Sequence, residues 1–310
     1  MPKITKLLLH SAITALLFLA ARGSAYASPS YLTVTGAGDV PLVVMQAGDA
    51  TAPGILFIHG MAQSGLAFHR QFEDPALISH FHLVAFDLRG QGGSGKPWRP
   101  EDYRDARVWA EDVAAVIRAT GLRHPLIVGW SYGGFVAMDY VRAFGTSNLA
   151  GLAMVGSLGG LTRMPRYSEG SSDAARAMRE RSAAQRGLDL QAFITAGQAT
   201  GSGYVAPPMT LLERQNFFAT EIMTPAYVRA AMSGRNLDNS DLLERLALPV
   251  LFVRGSKDVT MPRDALQTLL DHLPKSRLSA YDGVGHLPFM EQPERFDREL
   301  AAFALDAGAQ

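Results

Sequence analysis

Short apolar runs that alternate with helical patterns constrain the fold of this chain more than any other feature. From the middle of the chain onward the runs are rich in adjacent Val, Ile and Leu residues, as in PLIVGW at 125–130 and PVLFVRG at 249–255. Parallel strands covered by helices on both faces have this composition, because neither face meets water. The pattern predicts an α/β fold with a doubly wound, mostly parallel sheet. The predicted strands cover 31–35, 41–47, 54–60, 81–87, 125–130, 149–156, 249–255 and 277–282.

Helical patterns fill most of the intervals between these runs. The stretch 103–121 repeats apolar residues at helical spacing and ends at a glycine, which is a common stop signal. Further helices are predicted at 132–145, 263–273 and 293–305. The first two apolar runs are separated by GAGDV, a spacing that is typical of a hairpin.

The interval 157–237 interrupts this alternation, because it carries no strong strand pattern. A connection of this length is far longer than a usual link between a helix and a strand. Its bulky apolar residues favour burial over a disordered linker. These residues are Phe217, Phe218, Ile222, Met223 and Tyr227. We therefore predict a helical cap over 157–237, inserted into a core domain formed by 28–156 and 238–310.

The N-terminal segment 1–27 has the layout of a secretory signal peptide. Two lysines precede an apolar run at 7–21, and the segment ends in the small-x-small pattern AYA. The run is short for a membrane span. We expect cleavage after Ala27, a periplasmic or secreted protein and no stable membrane span afterwards. A retained anchor or a buried helix is the alternative, since His10 interrupts the run and Arg22 follows it.

Composition excludes several classes of function. The formal net charge is zero and no basic stripe is present, so no nucleic-acid partner is predicted. The chain has no cysteine, which excludes disulfides, thiolate catalysis and zinc sites built on Cys. His80 and His82 have no third ligand nearby in sequence, so no metal is predicted. The loop RGQGGSGKP lacks the lysine-Ser/Thr ending of a phosphate-binding loop. No cofactor is predicted.

Chemically useful groups follow four of the predicted strands. Ligands of an open parallel sheet bind beyond the carboxyl ends of its strands. Ser131 follows PLIVGW, Asp258 follows PVLFVRG and His286 follows RLSAYD, while the turn HGM follows GILFI. A serine, an acid, a histidine and a glycine-containing turn are the inventory for acyl transfer.

That chemistry needs each residue type. A serine hydroxyl attacks only when a base takes its proton, and a histidine accepts and later returns a proton near neutral pH. A carboxylate sets the histidine tautomer, and two backbone N–H groups stabilise the oxyanion. Three other acids compete with Asp258, but Asp264 and Asp271 fall in a helical pattern, and the place of Asp258 directly after a strand favours it over Asp282 as well.

Five segments in this order resemble motifs of the α/β-hydrolase superfamily. GWSYGG is similar to its G-x-S-x-G nucleophile elbow, and FIHGMAQS to its oxyanion segment. AFDLRGQGGSGKP resembles the loop after its fourth strand, and GSKDVTMP and GVGHLPFMEQPERF resemble its acid and histidine segments. The resemblance spans 31–305 apart from the cap, and it implies an eight-stranded, mostly parallel sheet flanked by helices.

The resemblance also implies residue roles. Ser131 is expected to be the nucleophile, His286 the base and Asp258 the acid that orients it. The backbone N–H groups of Met61 and Tyr132 are expected to bind the oxyanion. We further expect an apolar substrate pocket beneath the cap. Its expected residues are Trp130, Phe217, Phe218 and Met223.

Within the superfamily the chain resembles small serine esterases and the cofactor-free haloperoxidase-like group. Dehalogenases and epoxide hydrolases place Asp at the elbow, so Ser131 argues against both. We expect a carboxylesterase that acts on a small-molecule acyl substrate through an acyl-enzyme. Hydrolysis of lactones, thioesters, amides or carbon–carbon bonds stays open, as does perhydrolysis, although HGMAQSG lacks the proline that favours peracid formation. A binding or receptor protein with this fold is the non-enzymatic alternative.

Overall fold

The computed structural model describes residues 28–162, 176, 179–180, 183–184, 186–196 and 209–310. Each strand of the described part begins and ends within two residues of the sequence expectation. The strands are β1 (Ser30–Thr35), β2 (Pro41–Ala47), β3 (Gly54–Ile58), β4 (His82–Phe86), β5 (Leu126–Trp130), β6 (Gly151–Val155), β7 (Val250–Gly255) and β8 (Ser276–Tyr281).

All of these strands join one sheet in the order β1-β2-β4-β3-β5-β6-β7-β8. β1 pairs antiparallel with β2, and β2 pairs antiparallel with β4, while every later pair is parallel. The order reverses between β4 and β3, as in other doubly wound sheets. The predicted fold class, with its opening hairpin, is confirmed.

Helices cover both faces of this sheet. The α-helices are α1 (His69–Glu73), α2 (Pro75–His80), α3 (Glu101–Arg104), α4 (Ala106–Thr120), α5 (Tyr132–Phe144), α6 (Leu211–Ile222), α7 (Ala226–Ser233), α8 (Arg263–His272), α9 (Pro288–Glu291) and α10 (Pro293–Ala307). Side chains of α4, α5 and α8 form one core cluster with one face of the sheet. Side chains of α1, α2, α9 and α10 form a second cluster with the other face. The central strands are buried throughout, which explains their continuous apolar runs.

The helix predicted over 103–121 is two helices, with a break at Asp105. The backbone of Asp105 is extended, and its carboxylate accepts a hydrogen bond from Arg107 N at 2.8 Å, so it caps the start of α4. Gly121 ends α4 in the left-handed conformation, with φ of 70°. The capping preference of Asp is the local signal in the sequence for this break.

The interval 157–237 is described only in part. Within the described residues it contains a helical stretch at 190–196 and the helices α6 and α7. α6 begins with a capping box between Thr210 and Glu213. The cap boundaries stay a prediction, because much of 163–208 lies outside the described residues. The predicted signal peptide at 1–27 lies outside them as well.

The carboxyl ends of the parallel strands lie level with one another. The registers place Ile58 beside Gly129, Trp130 beside Val155, and Gly255 beside Tyr281. The segments that follow β3, β5, β6, β7 and β8 therefore leave the sheet along the same edge. All of the predicted triad and oxyanion residues belong to these segments.

Candidate active site

Ser131 occupies a sharp turn between β5 and α5. Its φ is 53° and its ψ is −114°, a strained backbone conformation for a residue with a side chain. Two neighbouring glycines allow the turn. A Cβ on Gly133 would lie 2.1 Å from the Ile58 oxygen, and a Cβ on Gly129 would lie 2.7 Å from the Cα of Gly134. The glycines are therefore required by close backbone packing around the serine.

Asp258 and His286 meet at the same edge of the sheet. His286 Nδ1 lies 2.9 Å from Asp258 Oδ2, and both side chains are 1% exposed. Two backbone hydrogen bonds join the loops that carry them. Ser256 N donates to Tyr281 O at 2.8 Å, and Lys257 N donates to Val284 O at 2.9 Å. The parallel pairing of β7 with β8 thus continues into the loops and aligns the two side chains.

The Asp258 carboxylate accepts hydrogen bonds on both oxygens. Thr260 N and Thr260 Oγ1 donate to Oδ1 at 2.8 and 2.7 Å, while His286 faces Oδ2. Burial opposes ionisation of this group. The charge and hydrogen bond of His286 and the two donors of Thr260 outweigh it, and the pKa of Asp258 is lowered. The acid is therefore ionised at neutral pH, as an orienting carboxylate must be.

The end of β6 connects Ser131 to the Asp258–His286 pair. Ser131 N donates to Val155 O at 2.9 Å at the end of β6. The next residue, Gly156, packs against the pair, since a Cβ there would lie 2.7 Å from His286 Nδ1. On the other side, Trp130 Nε1 donates to His286 O at 3.1 Å. The structure thus brings the predicted serine, acid and histidine segments together.

The predicted oxyanion segment lies against the serine. A Cβ on Gly60 would lie 3.3 Å from the Cβ of Ser131, so the chain at this point approaches the nucleophile closely. His59 orders the turn, because its Nε2 accepts a hydrogen bond from Leu88 N at 2.9 Å and its Nδ1 contacts Gly60 O at 2.8 Å. Burial lowers the pKa of His59, which keeps the ring neutral. Gly60 O and Met61 N–H belong to the same peptide group, so the contact with His59 restrains the peptide that carries the predicted oxyanion donor.

Tyr132 is the first residue of α5. The first N–H groups of a helix have no intrahelical acceptor and lie at its positive end. The Tyr132 side chain is buried, and its hydroxyl accepts a hydrogen bond from Arg235 Nη1 at 2.8 Å. Its backbone N–H is thus at the serine, while its ring belongs to the core.

The four predicted pocket residues differ in their surroundings. Trp130 is buried against Phe217, with ring centroids 6.0 Å apart, and against Phe289, at 5.3 Å. Phe217 is half-buried, and so is Phe218. Met223 is 52% exposed at the end of α6. Of the four, Phe217 lines a cavity and contacts Trp130, whereas Met223 does neither in the described contacts.

A cavity of about 370 Å³ lies between α6 and the segment 63–73, with Phe217 in its wall. Gln63, also in the wall, joins the oxyanion segment to α6. Its Nε2 donates to Phe217 O at 3.2 Å, and its Oε1 accepts from Thr220 Oγ1 at 3.0 Å. Leu66 and Leu212 add apolar surface to the cavity. The cavity is linked to the nucleophile elbow through Phe217, whose ring centroid lies 6.0 Å from that of Trp130.

Glu213 fastens α6 to α1 at the rim of this cavity. Its carboxylate accepts a hydrogen bond from Arg70 Nε at 2.9 Å and lies 2.9 Å from His69 Nε2. Burial opposes its ionisation, but hydrogen bonds from Thr210, Arg70 and His69 lower the pKa of Glu213 to about 2. The Glu213 carboxylate therefore stays ionised over the physiological range, and its ion pair with Arg70 joins α6 to α1.

Asp87 and Arg89, which follow β4, hold neighbouring segments of the chain through hydrogen bonds. The Asp87 carboxylate accepts hydrogen bonds from Gly65 N and Gly93 N, both at 2.7 Å. Arg89 forms a buried two-point ion pair with Asp112, at 2.6 and 2.7 Å. These contacts give Asp87 and Arg89 a structural role around the loop RGQGGSGKP.

Several residues around the site were not predicted from the sequence. Thr260 carries a local signal, because a hydroxyl residue two positions after an Asp favours a turn that the Asp side chain caps. Asp139 carries another, as a charge on the core-facing side of α5 that indicates a buried partner. Gln63, Gln91 and Arg235 carry none. Gln91 accepts from Ala62 N at 2.5 Å, across 29 residues, and only the fold brings the two together.

No helix of the described residues is both long and apolar enough to cross a membrane. Within the same residues, His, Asp and Glu side chains form no cluster of three that could bind a metal ion.

Comparison with known proteins gives the same fold. The model of the alpha/beta hydrolase fold family matches residues 53–293. Pimeloyl-(acyl-carrier protein) methyl ester esterase from Nitrosomonas europaea is 29% identical over 249 residues, which cover 79% of this chain and 92% of that protein. Esterase RhEst1 from Rhodococcus sp. ECU1013 superposes with a TM-score of 0.79 at 31% identity, over 90% of this chain and 100% of that chain. Bromoperoxidase from Bacillus anthracis, at 20% identity and a TM-score of 0.72 over 88% and 99% of the two chains, shares the fold.

Proposed function

The chain belongs to the alpha/beta hydrolase fold family, and on that premise we propose that it is a serine esterase. The observation that carries the proposal is the buried hydrogen bond between His286 Nδ1 and Asp258 Oδ2, at 2.9 Å, at the sheet edge where Ser131 follows β5. An acid, a histidine and a strained serine in one place have a direct use in acyl transfer.

In the proposed reaction, His286 Nε2 takes the proton of Ser131 as the serine oxygen attacks the ester carbonyl carbon. Asp258 stabilises the imidazolium that forms. The N–H groups of Met61 and Tyr132 donate to the oxyanion. The imidazolium returns its proton to the leaving alcohol, which gives an acyl-enzyme at Ser131. Water, deprotonated by His286, then attacks the acyl carbon; the bond to the Ser131 oxygen breaks, His286 returns the proton to that oxygen, and the acid product leaves.

A carboxylic ester is the favoured substrate for two reasons. RhEst1 and the pimeloyl methyl ester esterase, both named as esterases, are similar to this chain over most of its length. The cavity beside Phe217 also has room for an apolar acyl or alcohol group. Lactone, thioester, amide and carbon–carbon bond hydrolysis, and perhydrolysis, would use the same three residues, so a substrate panel separates them.

A fluorophosphonate probe tests the proposal, because it reacts with an activated serine. We expect labelling of the wild type and of Ser240→Ala, which changes an exposed serine, and none of Ser131→Ala. A folded wild type that resists the probe would contradict the enzymatic role and favour a binding protein. Among p-nitrophenyl esters, lactones and diketones, we expect the esters to give the highest kcat/KM.

A further inference from the structure

A threonine hydroxyl lies where the acid, the histidine and the loop after β6 meet. Thr260 Oγ1 is 2.7 Å from Asp258 Oδ1, 3.2 Å from His286 Nδ1 and 3.1 Å from Gly156 O. These three partners come from three different segments of the chain. The hydroxyl is thus in contact with both members of the Asp–His pair.

We propose that Thr260 is a positioning residue of this site, whose hydroxyl holds the Asp258 carboxylate in the orientation that His286 requires. The inference rests on the proposed function. Backbone geometry alone does not fix the carboxylate, since a single N–H donor to Oδ1 leaves the group free to tilt. The Thr260 hydroxyl is a second donor to the same oxygen and restricts that movement.

The hydroxyl has one proton and three neighbours. The ionised carboxylate, at the shortest distance, is the strongest acceptor, so the proton points mainly to Asp258 Oδ1. Gly156 O is the weaker alternative at 3.1 Å. The oxygen lone pairs then face His286 Nδ1–H, which has Asp258 Oδ2 as its nearer acceptor at 2.9 Å. The arrangement favours the tautomer with the proton on Nδ1, which leaves Nε2 as the base.

The Thr260 hydroxyl also affects the charge density on the Asp258 carboxylate. A donor on Oδ1 draws charge away from Oδ2, and its removal makes the carboxylate a stronger partner for a protonated His286. Charged neighbours of Asp258 in the described part of the chain include Arg254 and Glu291. Neither is altered when Thr260 is changed, so an effect of the change reports on the hydroxyl.

Thr260→Val tests the proposal, because it replaces the hydroxyl with a methyl group and keeps the backbone N–H donor. We expect kcat for a p-nitrophenyl ester to fall by between about tenfold and a hundredfold, the loss typical of a hydrogen bond to a charged group, with KM within about twofold. We expect the acidic limb of the kcat/KM profile to move to higher pH by about half a unit or more. Thr260→Ser restores the hydroxyl, and we expect it to restore the position of that limb.

Thr268→Val is the matched control, because Thr268 is exposed on α8 and donates to a helix carbonyl. We expect its kinetics to equal those of the wild type. The proposal is overturned if Thr260→Val keeps the kcat and pH profile of an active wild type, or if it only lowers Tm. A wild type whose Ser131 is not labelled by the fluorophosphonate overturns the proposed function itself, and this proposal with it.

Discussion

Arg235 Nη1 donates a hydrogen bond of 2.8 Å to the hydroxyl of Tyr132, although 103 residues separate the two in the chain. Arg235 follows α7, and Tyr132 directly follows the nucleophile. The same guanidinium donates to Asp139 Oδ2 at 2.5 Å and lies over the ring of Trp109, 5.0 Å from its centroid. One buried cation thus ties the chain after α7 to the helix that begins at the elbow.

Removal of this cation by Arg235→Met leaves a buried carboxylate without its partner. We expect the free energy of unfolding at pH 8 to fall by about 3 kcal/mol or more, as measured by urea denaturation. Burial already raises the pKa of Asp139 to about 6, above its ordinary value. Without Arg235 the pKa of Asp139 rises further, so the carboxyl of the folded variant is neutral at pH 5. We therefore expect the substitution to reduce the free energy of unfolding less at pH 5 than at pH 8.

Arg142→Met is the control for that experiment, because Arg142 pairs with Asp241 near the surface. We expect a loss below about 1 kcal/mol at either pH. An equal effect of the two substitutions at pH 8 would show that the buried cluster contributes no more to stability than the surface ion pair.

Asp258→Asn tests the acid that the sequence and the geometry both select. An amide oriented toward His286 either fails to accept its Nδ1–H or favours the wrong tautomer, so we expect kcat to fall by about a thousandfold or more with the fold intact. Ester hydrolysis and circular dichroism measure the two quantities. Asp264→Asn, on the exposed start of α8, is expected to keep full activity. Retained activity in Asp258→Asn would mean that another acid orients His286.

The variants Phe217→Ala and Met223→Ala test which of these two residues contacts the substrate in the proposed pocket. Phe217 packs on Trp130, beside the nucleophile, whereas Met223 is 52% exposed. We expect kcat/KM for an aryl ester to fall about tenfold in Phe217→Ala, from the lost apolar contact, and to change less than about twofold in Met223→Ala. The opposite ranking would place the substrate at the far end of α6.

Asp297 makes stability depend on pH. Burial raises the pKa of this carboxyl to about 8, and Gln71 Nε2 donates to its Oδ1 at 2.9 Å. The folded chain therefore keeps a proton that the unfolded chain has lost above about pH 4, and stability falls as pH rises from about 4 to 8.

Asp297→Asn removes that titration and keeps the acceptor for Gln71. As pH rises from 5 to 8, we expect the free energy of unfolding of the variant to increase relative to that of the wild type by at least about 1 kcal/mol. Thermal or urea denaturation at both values measures the difference. Asp306→Asn, which alters an exposed pair with Arg277, is expected to show no such trend. If the stability of Asp297→Asn and that of the wild type change with pH in the same way, a group other than Asp297 is responsible for the pH dependence.

Much of the fold and of the candidate site is predictable from the sequence for local reasons. Buried parallel strands need continuous apolar runs, and the elbow around Ser131 needs glycines, because side chains there would overlap with backbone atoms. Asp258 and His286 are recognisable because each follows a strand whose carboxyl end lies at the ligand-binding edge. These features depend on residues close together in the chain, and they specify the order of the elements and the composition of the site.

The tertiary structure decided which distant side chains support that site. The contacts of Gln63 with α6, Gln91 with Ala62 and Arg235 with Tyr132 join segments far apart in sequence. A polar side chain has no periodic pattern that identifies its partner, because a hydrogen bond depends on where two backbones approach in space. The sequence by itself determined the sheet, the elbow and the three chemical groups, while packing of the folded chain determined how those groups are held.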